Sequence, residues 1–223
     1  MRRTLLVQTA AKFMLGVILT ALLIFVPAGA LSYVGGWLFM AVLFLPMLML
    51  GIVLIVRNPE LLRKRLKDKE EAKEQELAVK LSGLMFLVGF IAAGLNYRFD
   101  WYVLPFGVSV TAAIIFLAGY LLYARVMKEN AFLSRVIEIQ EGQRVVDTGV
   151  YAIVRHPMYS ATLLLFLSMP LILGSLISFV IFLAYPLIIS RRIAHEEAFL
   201  EEYLDGYSDY KKRVQYRLIP FVW

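Results

Sequence analysis

The sequence has 223 residues, no cysteine and a formal net charge of +6 at pH 7. Hydrophobic residues make up 61% of it, and its mean hydropathy is +0.73. This exceeds what a soluble core needs, so the composition predicts an all-α bundle of membrane-spanning helices. The lack of cysteine excludes disulfides, thiolate metal sites and cysteine nucleophiles. The Lys and Arg residues lie beside apolar runs, where they signal topology and contact anionic lipid, so we expect no nucleic-acid partner.

Apolar runs of membrane-spanning length predict four spans in the first 126 residues. Their predicted positions are 12–32, 34–56, 79–97 and 102–123. The first two form a helical hairpin through a tight turn at 33–36. The N-terminal run has no small-residue cleavage site, so we expect an uncleaved span there and not a signal peptide.

The mixed-charge segment at 57–76 predicts an amphipathic helix on the membrane surface, which Asn58 and Pro59 can start. A last apolar stretch at 158–190 is interrupted by proline, glycine and serine, which predicts two short helices folded back on each other. No linker or repeat divides the chain, so we expect one membrane domain over 1–223.

The distribution of positive charge predicts the orientation of this bundle. Eight Lys or Arg residues lie in 57–80 and five in 125–155, and more follow near the C-terminus, whereas the opposite loops hold only Arg98. By the positive-inside rule, both termini face the cytoplasm.

One long polar segment, D-T-G-V-Y-A-I-V-R-H-P-M-Y-S-A, interrupts the apolar C-terminal half and holds one of only two histidines. Proline suits the first turn of a helix and pushes the preceding residue out of helical geometry, so His156-Pro157 predicts a helix start with His156 near its cap. Backbone N–H groups at such a start favour a carboxylate or another anion. The flanking side chains are Tyr151, Arg155 and Tyr159.

A second polar cluster, R-R-I-A-H-E-E, closes the last apolar stretch. Residues four apart share one helical face, so Arg192 lies on the side of Glu196, and Arg191 on the side of His195. Catalytic residue types gathered beside membrane spans indicate an enzyme. The cluster lacks the second histidine of H-E-x-x-H, so we expect no metal, and neither G-x-G-x-x-G nor a Walker lysine is present.

The same residues also have structural alternatives. The arginines could anchor the chain at the interface, the tyrosines could belong to an aromatic belt, and His156 could be an ordinary helix cap. The acidic residues could form a solvated helix face, most simply at Glu201 and Glu202. The residues to which these alternatives apply are Arg155, Arg191, Arg192, Tyr151, Tyr159, Glu196, Glu197, Glu201 and Glu202.

The order and spacing of four motifs carry a resemblance to a known family. They are G-V-Y-A-I-V-R-H-P-M-Y, R-I-A-H-E-E-A-F-L, Y-S-D-Y-K-K-R-V and L-I-P-F-V-W. Over about 138–223 the chain resembles the isoprenylcysteine carboxyl methyltransferase family of integral membrane enzymes. The resemblance implies a four-span scaffold at 1–126 and a catalytic part at 127–223, with a cofactor pocket on the cytoplasmic face.

The resemblance further implies S-adenosylmethionine as cofactor, with S-adenosylhomocysteine as its product. The cofactor contacts that it implies are Glu138, the strand-like Val145 and Val146, Tyr151, His156, Pro157, Met158, Tyr159 and Glu196. It implies that Arg192 binds the substrate carboxylate, and that Arg192 and Glu196 form the catalytic pair. The bilayer and an amphipathic or lipid-modified acceptor are the expected partners.

A carboxylate acceptor is ionised at neutral pH, so its methylation needs positioning and desolvation but no general base. An amine or thiol acceptor needs deprotonation, for which the chain offers only His195, Glu196 and Glu197 as candidate bases. Phospholipid amines and small thiols remain alternative acceptors. A sterol-type membrane reductase that uses NADPH, and a non-catalytic scaffold or small transporter, are alternatives from other classes.

Overall fold

The computed structural model describes residues 2–57, 59–60, 62, 73–133 and 138–223. The described α-helices are α1 (Arg2–Ala28), α2 (Val34–Arg57), α3 (Lys73–Phe99), α4 (Phe106–Glu129), α5 (Pro157–Ile172), α6 (Leu176–Phe182), α7 (Ala184–Tyr203) and α8 (Tyr207–Arg213). A short 3₁₀ helix spans Gly149–Ala152. Most of the surface helix predicted at 57–76 lies outside the described residues, and its last four residues belong to α3.

Among the described residues, five helical segments are long and apolar enough to cross a membrane. They are Leu6–Ala28, Val34–Arg57, Glu76–Phe99, Phe106–Glu129 and Leu176–Tyr203. Large apolar side chains cover their outer faces, which suits contact with lipid in place of water. The prediction of an all-α integral membrane bundle is therefore confirmed.

The first and fourth spans differ from prediction at their ends. Helix α1 ends at Ala28 and not at Ser32, because Gly29 takes a left-handed conformation with φ of 65° and its N–H bonds to the last turn. Helix α4 begins at Phe106 and not at Tyr102. The residues before it are extended, and Val103 bridges Ser175.

The last apolar stretch forms three helices where two were predicted. Gly174, with φ of 65°, ends α5, and the Ser175 side chain caps α6 by accepting the Ser178 N–H at 3.2 Å. Pro186 does not interrupt a helix, because it lies in the first turn of α7, where backbone N–H groups have no helical partner. Helix α7 therefore continues from the apolar core into the polar C-terminal region.

The helices pack around a core rich in aromatic side chains. Helix α5 lies along α4, and α3 contacts α1, α6 and α7. Gly94 allows the close approach of α1, since a Cβ there would lie 2.5 Å from the Ile24 carbonyl oxygen. The buried rings at the centre include Phe39, Phe90, Phe116 and Phe182. This packing fixes the position at which α5 and α7 present their polar residues.

Candidate functional site

A cavity of about 540 Å³ lies where α3, α4, α5 and α7 meet α8. This volume is typical of small-molecule sites, which span roughly 300–1,000 Å³. All ten residues selected from the sequence line it: Glu138, Val145, Val146, Tyr151, His156, Pro157, Met158, Tyr159, Arg192 and Glu196. The structure thus brings them to one place, while their individual ligand contacts stay predictions.

A chain of hydrogen bonds links α5 to α7 at the cavity wall. Arg192 Nε donates to Tyr159 Oη at 3.0 Å, and Tyr159 Oη donates to Glu196 Oε2 at 2.5 Å. Arg192 and Glu196 are one helical turn apart, and all three side chains are half-buried. The chain therefore joins a cation and a carboxylate through one phenol.

His156 takes the predicted position at the start of α5, with Pro157 in the first turn. Its backbone N–H donates to the Arg217 carbonyl at 2.9 Å. Its ring lies between two carboxylates, with Nε2 3.1 Å from Glu197 Oε1 and Nδ1 3.9 Å from Glu196 Oε1. Contacts at both ring nitrogens fix the orientation of the imidazole beside the cavity.

Glu197 is the buried acidic residue of α7, with only 2% of its surface exposed. Its Oε1 accepts from Arg155 Nε at 2.7 Å, and its Oε2 lies 3.1 Å from Arg217 Nη2 and 3.7 Å from Lys211 Nζ. These groups place three cations around one carboxylate, beside the ring of His156. Such burial of a charge is tolerable only with this degree of pairing.

Two of the structural alternatives are consequently wrong. Arg155 is not an interfacial anchor, because it is buried, and its Nη1 donates to the Val214 and Gln215 carbonyls at 2.7 and 2.8 Å. Glu197 is not part of a solvated face. The residues of this region that do lie on exposed surface are Arg191, His195, Glu201 and Glu202.

The segment before α5 is not strand-like as predicted, because Val145 and Val146 lie in irregular structure without a partner strand. The last residue of α4, Glu129, holds the 3₁₀ helix at Gly149–Ala152 in place. Glu129 Oε2 accepts the Val150 N–H at 2.8 Å, and Gly149, with φ of 60°, leaves room for the carboxylate. A side chain at 149 would overlap Glu129.

Tyr151 is held in place through both its side chain and its backbone. Its hydroxyl accepts from Asn130 Nδ2 at 2.9 Å, and its carbonyl accepts from Tyr210 Oη at 2.8 Å. Burial raises the pKa of Tyr210, so this phenol keeps its proton at neutral pH. Asn130 and Tyr210 thus position a predicted contact, and sequence reasoning missed both of them.

The cavity also has an apolar side that the sequence analysis did not anticipate. Four residues at helical spacing on one face of α3 contribute to it: Val79, Ser82, Gly83 and Phe86. Facing residues from α5 and α7 are Phe166, Tyr185, Ile188 and Ile189. The spacing on α3 was visible in the sequence, but nothing there distinguished it from a face packed against lipid or another helix.

The model of the isoprenylcysteine carboxyl methyltransferase (ICMT) family matches residues 103–202, which contain most of the cavity wall. Over this region the chain is similar to the ICMT family, and one relative named as a methyltransferase of that family is similar to it as well. The resemblance stated from the motifs is therefore confirmed. The matched region begins three residues before α4 and contains the whole of it, so it includes more of the bundle than the motifs alone suggested.

The proteins that are similar to the chain include two curated relatives and a solved structure. The protein-S-isoprenylcysteine O-methyltransferase of Schizosaccharomyces pombe is 31% identical over 125 residues, which are 52% of this chain and 53% of the relative. The delta(14)-sterol reductase of Mus musculus is 33% identical over 85 residues, 37% of this chain and 20% of the relative. The chain thus spans about half the length of the first and a fifth of the second.

The solved structure is the eukaryotic intramembrane Ras methyltransferase ICMT. It is matched over 97% of this chain and 86% of that chain, with a TM-score of 0.47 and 19% identity. Because one curated relative is named a methyltransferase and the other a reductase, the activity has to be argued from the site itself.

We expect Glu197→Gln to destabilise the fold by about 3–5 kcal/mol, because it removes the negative charge that compensates buried Arg155. Thermal unfolding of the detergent-solubilised protein measures the effect. The matched control is Glu201→Gln, one turn along α7, whose partly exposed carboxylate lies 3.0 Å from Lys211. An exposed pair of this kind contributes under about 1 kcal/mol. Equal falls in Tm for the two variants would contradict the role assigned to Glu197.

Proposed function

We propose that this chain is an integral membrane methyltransferase that uses S-adenosylmethionine to methylate a carboxylate on an amphipathic acceptor such as an isoprenylcysteine. One observation carries the proposal. A single cavity joins the hydrogen-bonded Arg192, Tyr159 and Glu196 to an apolar wall formed by α3, α5 and α7. A polar reacting group and an apolar tail can therefore occupy the same cavity.

The residues around the polar side fit the cofactor. The Glu196 carboxylate complements a positively charged ligand, and the rings of Tyr151, His156 and Tyr159 offer flat surfaces and hydrogen-bonding groups. When bound, S-adenosylmethionine supplies a methyl group on a positively charged sulfur. Met158 and Val145 add apolar surface that helps to exclude water.

The availability of bases supports a carboxylate acceptor. His195 is exposed and is not among the residues that line the cavity, and Glu197 is engaged by Arg155, His156 and Arg217. Of the candidate bases, Glu196 alone lines the cavity. An amine or thiol would need to lose a proton to a base, whereas a carboxylate reacts in its ordinary ionised form.

In this proposal Arg192 orients the acceptor. A guanidinium can bind one carboxylate oxygen and leave the other directed at the methyl group. The apolar wall holds the tail and removes water from the reacting carboxylate. Positioning of this kind is worth roughly 7–11 kcal/mol of barrier when the geometry is close to that of attack.

A reductase is the second candidate, because one relative is named a sterol reductase. NADPH carries a 2′-phosphate, which calls for a cluster of available cations. Of the three arginines among the described residues that line the cavity, Arg155 is bound to Glu197 and Arg192 hydrogen-bonds Tyr159, which leaves the exposed Arg144 as a single cation and not a cluster. This distribution of charge favours the methyltransferase.

We further propose the orientation that the positive charges predict, with both termini cytoplasmic and 127–223 carrying the chemistry. Helix α8 ends in Lys211, Lys212 and Arg213, and this cluster then faces the cytoplasm. Trypsin added to sealed, right-side-out vesicles should leave it intact and should cleave it after the vesicles are opened. Cleavage in the sealed vesicles would reverse the orientation.

Isothermal titration tests the cofactor assignment. We expect S-adenosylmethionine and S-adenosylhomocysteine to bind the purified protein with micromolar Kd, and NADPH not to bind. Glu196→Gln should weaken the binding of both ligands at least tenfold, which corresponds to about 1.4 kcal/mol, because it removes a carboxylate that complements the α-ammonium group that both ligands carry. Binding of NADPH alone by folded protein would replace the methyltransferase with the reductase.

Arg192→Ala should abolish turnover, measured as transfer of labelled methyl groups to a prenylated cysteine analogue, and should leave the affinity for S-adenosylhomocysteine within about threefold of wild type. Its matched control is Arg191→Ala, because Arg191 is exposed and does not line the cavity. Wild-type turnover in Arg192→Ala would remove the residue from the proposed mechanism. Equal losses in both variants would point to membrane anchoring instead.

A further inference from the structure

Tyr207, the first residue of α8, has a buried hydroxyl without a hydrogen-bond partner. Among the residues that the structure describes, its Oη is the one buried side-chain oxygen or nitrogen in this condition, and only 4% of the residue is exposed. A buried hydroxyl that has left water without gaining a partner costs free energy. Tyr207 also lines the cavity, so a bound molecule can supply the missing partner.

The neighbouring Tyr210 has a buried hydroxyl that does form a hydrogen bond within the protein. Tyr210, on the same helix, is equally buried and lines the same cavity, but its Oη donates to the Tyr151 carbonyl at 2.8 Å. The fold therefore provides a partner for one hydroxyl and not for the other. Packing of the two rings in one cluster with Leu204 and Val214 accounts for their burial but not for this difference.

The phenol of Tyr207 is a donor at neutral pH. Burial raises its pKa well above the usual range, and the nearby carboxylates of Glu197 and Glu196 raise the pKa further. The proton is therefore retained, and the hydroxyl is available to an acceptor atom.

The order of residues along α7 indicates which molecule supplies that atom. Ile188 and Ile189 line the apolar side, Arg192 and Glu196 follow, and Leu200 and Leu204 line the cavity beyond them. Tyr207 packs in one cluster with Leu200 and Leu204, and the carboxylates of Glu197 and Glu196 are close enough to raise the pKa of its phenol, so it belongs to the side of the cavity away from the apolar wall. The acceptor's tail occupies the opposite side, which leaves this one to the cofactor.

We propose that Tyr207 is a binding residue of the cavity, whose hydroxyl donates a hydrogen bond to the bound S-adenosyl ligand. The inference rests on the proposed function, since that function supplies the ligand. It adds to the cofactor contacts a residue from α8, a helix in which the sequence analysis placed none of them.

The test compares Tyr207→Phe with wild type in the full chain, purified in detergent. The matched control is Tyr203→Phe, which removes the same hydroxyl from an exposed ring outside the cavity lining. Two quantities are measured: the Kd for S-adenosylhomocysteine by calorimetry, and the Tm without ligand. We expect Tyr207→Phe to raise the Kd about 3- to 10-fold and to leave the ligand-free Tm at or above that of wild type. Tyr203→Phe should match wild type in both.

The outcomes separate this inference from the proposed function. If wild type binds and Tyr207→Phe binds equally well, the inference is overturned while the methyltransferase stands. A lower ligand-free Tm in Tyr207→Phe also overturns it, because the hydroxyl then has a partner within the protein. If folded wild type does not bind the ligand at all, the proposed function fails and the inference fails with it.

A second ligand locates the contact. 5′-Methylthioadenosine lacks the amino-acid part of S-adenosylhomocysteine. An equal loss of affinity for both ligands in Tyr207→Phe supports a bond to the adenosyl half. A loss confined to S-adenosylhomocysteine supports a bond to the amino-acid half.

Discussion

The buried carboxylate of Glu197 is the interaction on which the polar end of this molecule depends. It binds Arg155 and His156 from the turn before α5, Lys211 from α8, and Arg217 from the C-terminal segment that follows α8. Three parts of the chain that are distant in sequence are thereby held by one side chain. An isolated carboxylate could not stay charged at this depth, so the cations and the carboxylate require one another.

The backbone completes what this charge cluster begins. The N–H groups of Arg155 and His156 donate to the carbonyls of Tyr216 and Arg217, each at 2.9 Å, so the C-terminal segment runs beside the start of α5. Arg217 in turn lies over the ring of Trp223. The result is a rigid polar cap on an apolar bundle, and the cavity lies between the two. A site that must handle both a charged group and an apolar one is naturally found at such a boundary.

Much of this could be predicted from the sequence, because long apolar runs permit few structures in a membrane. The helical class, the approximate spans and the helix start at His156-Pro157 all followed from local chemistry. The burial of Glu197 did not follow from local chemistry, although the sequence contains a pattern that indicates it. Tyr185, Ile189 and Ile193 are buried at a spacing of four, and the next residue of that series is Glu197. An acidic residue that continues an apolar stripe needs partners, and those partners lie 14 to 42 residues away.

Other features depended on tertiary contacts that no local pattern contains. The extra helix boundary before Ala184 arises where α6 packs against α3, with Ser178 Oγ bonded to the Gly89 carbonyl. The apolar wall from α3 could not be assigned to the cavity, since its face is as apolar as the faces that meet lipid. Tyr207 could not be distinguished from Tyr210 for the same reason, because the two phenols differ only in what the fold brings to their hydroxyls.

Tyr159 has a consequence that reaches beyond its own contacts. Its single hydroxyl serves both Arg192 and Glu196, so a molecule that binds to either of them must share or replace a bond that the other end also uses. Arg192 and Glu196 are thus coupled through one phenol. If both bind ligands as proposed, thermodynamic reciprocity requires each ligand to change the affinity of the other by the same factor.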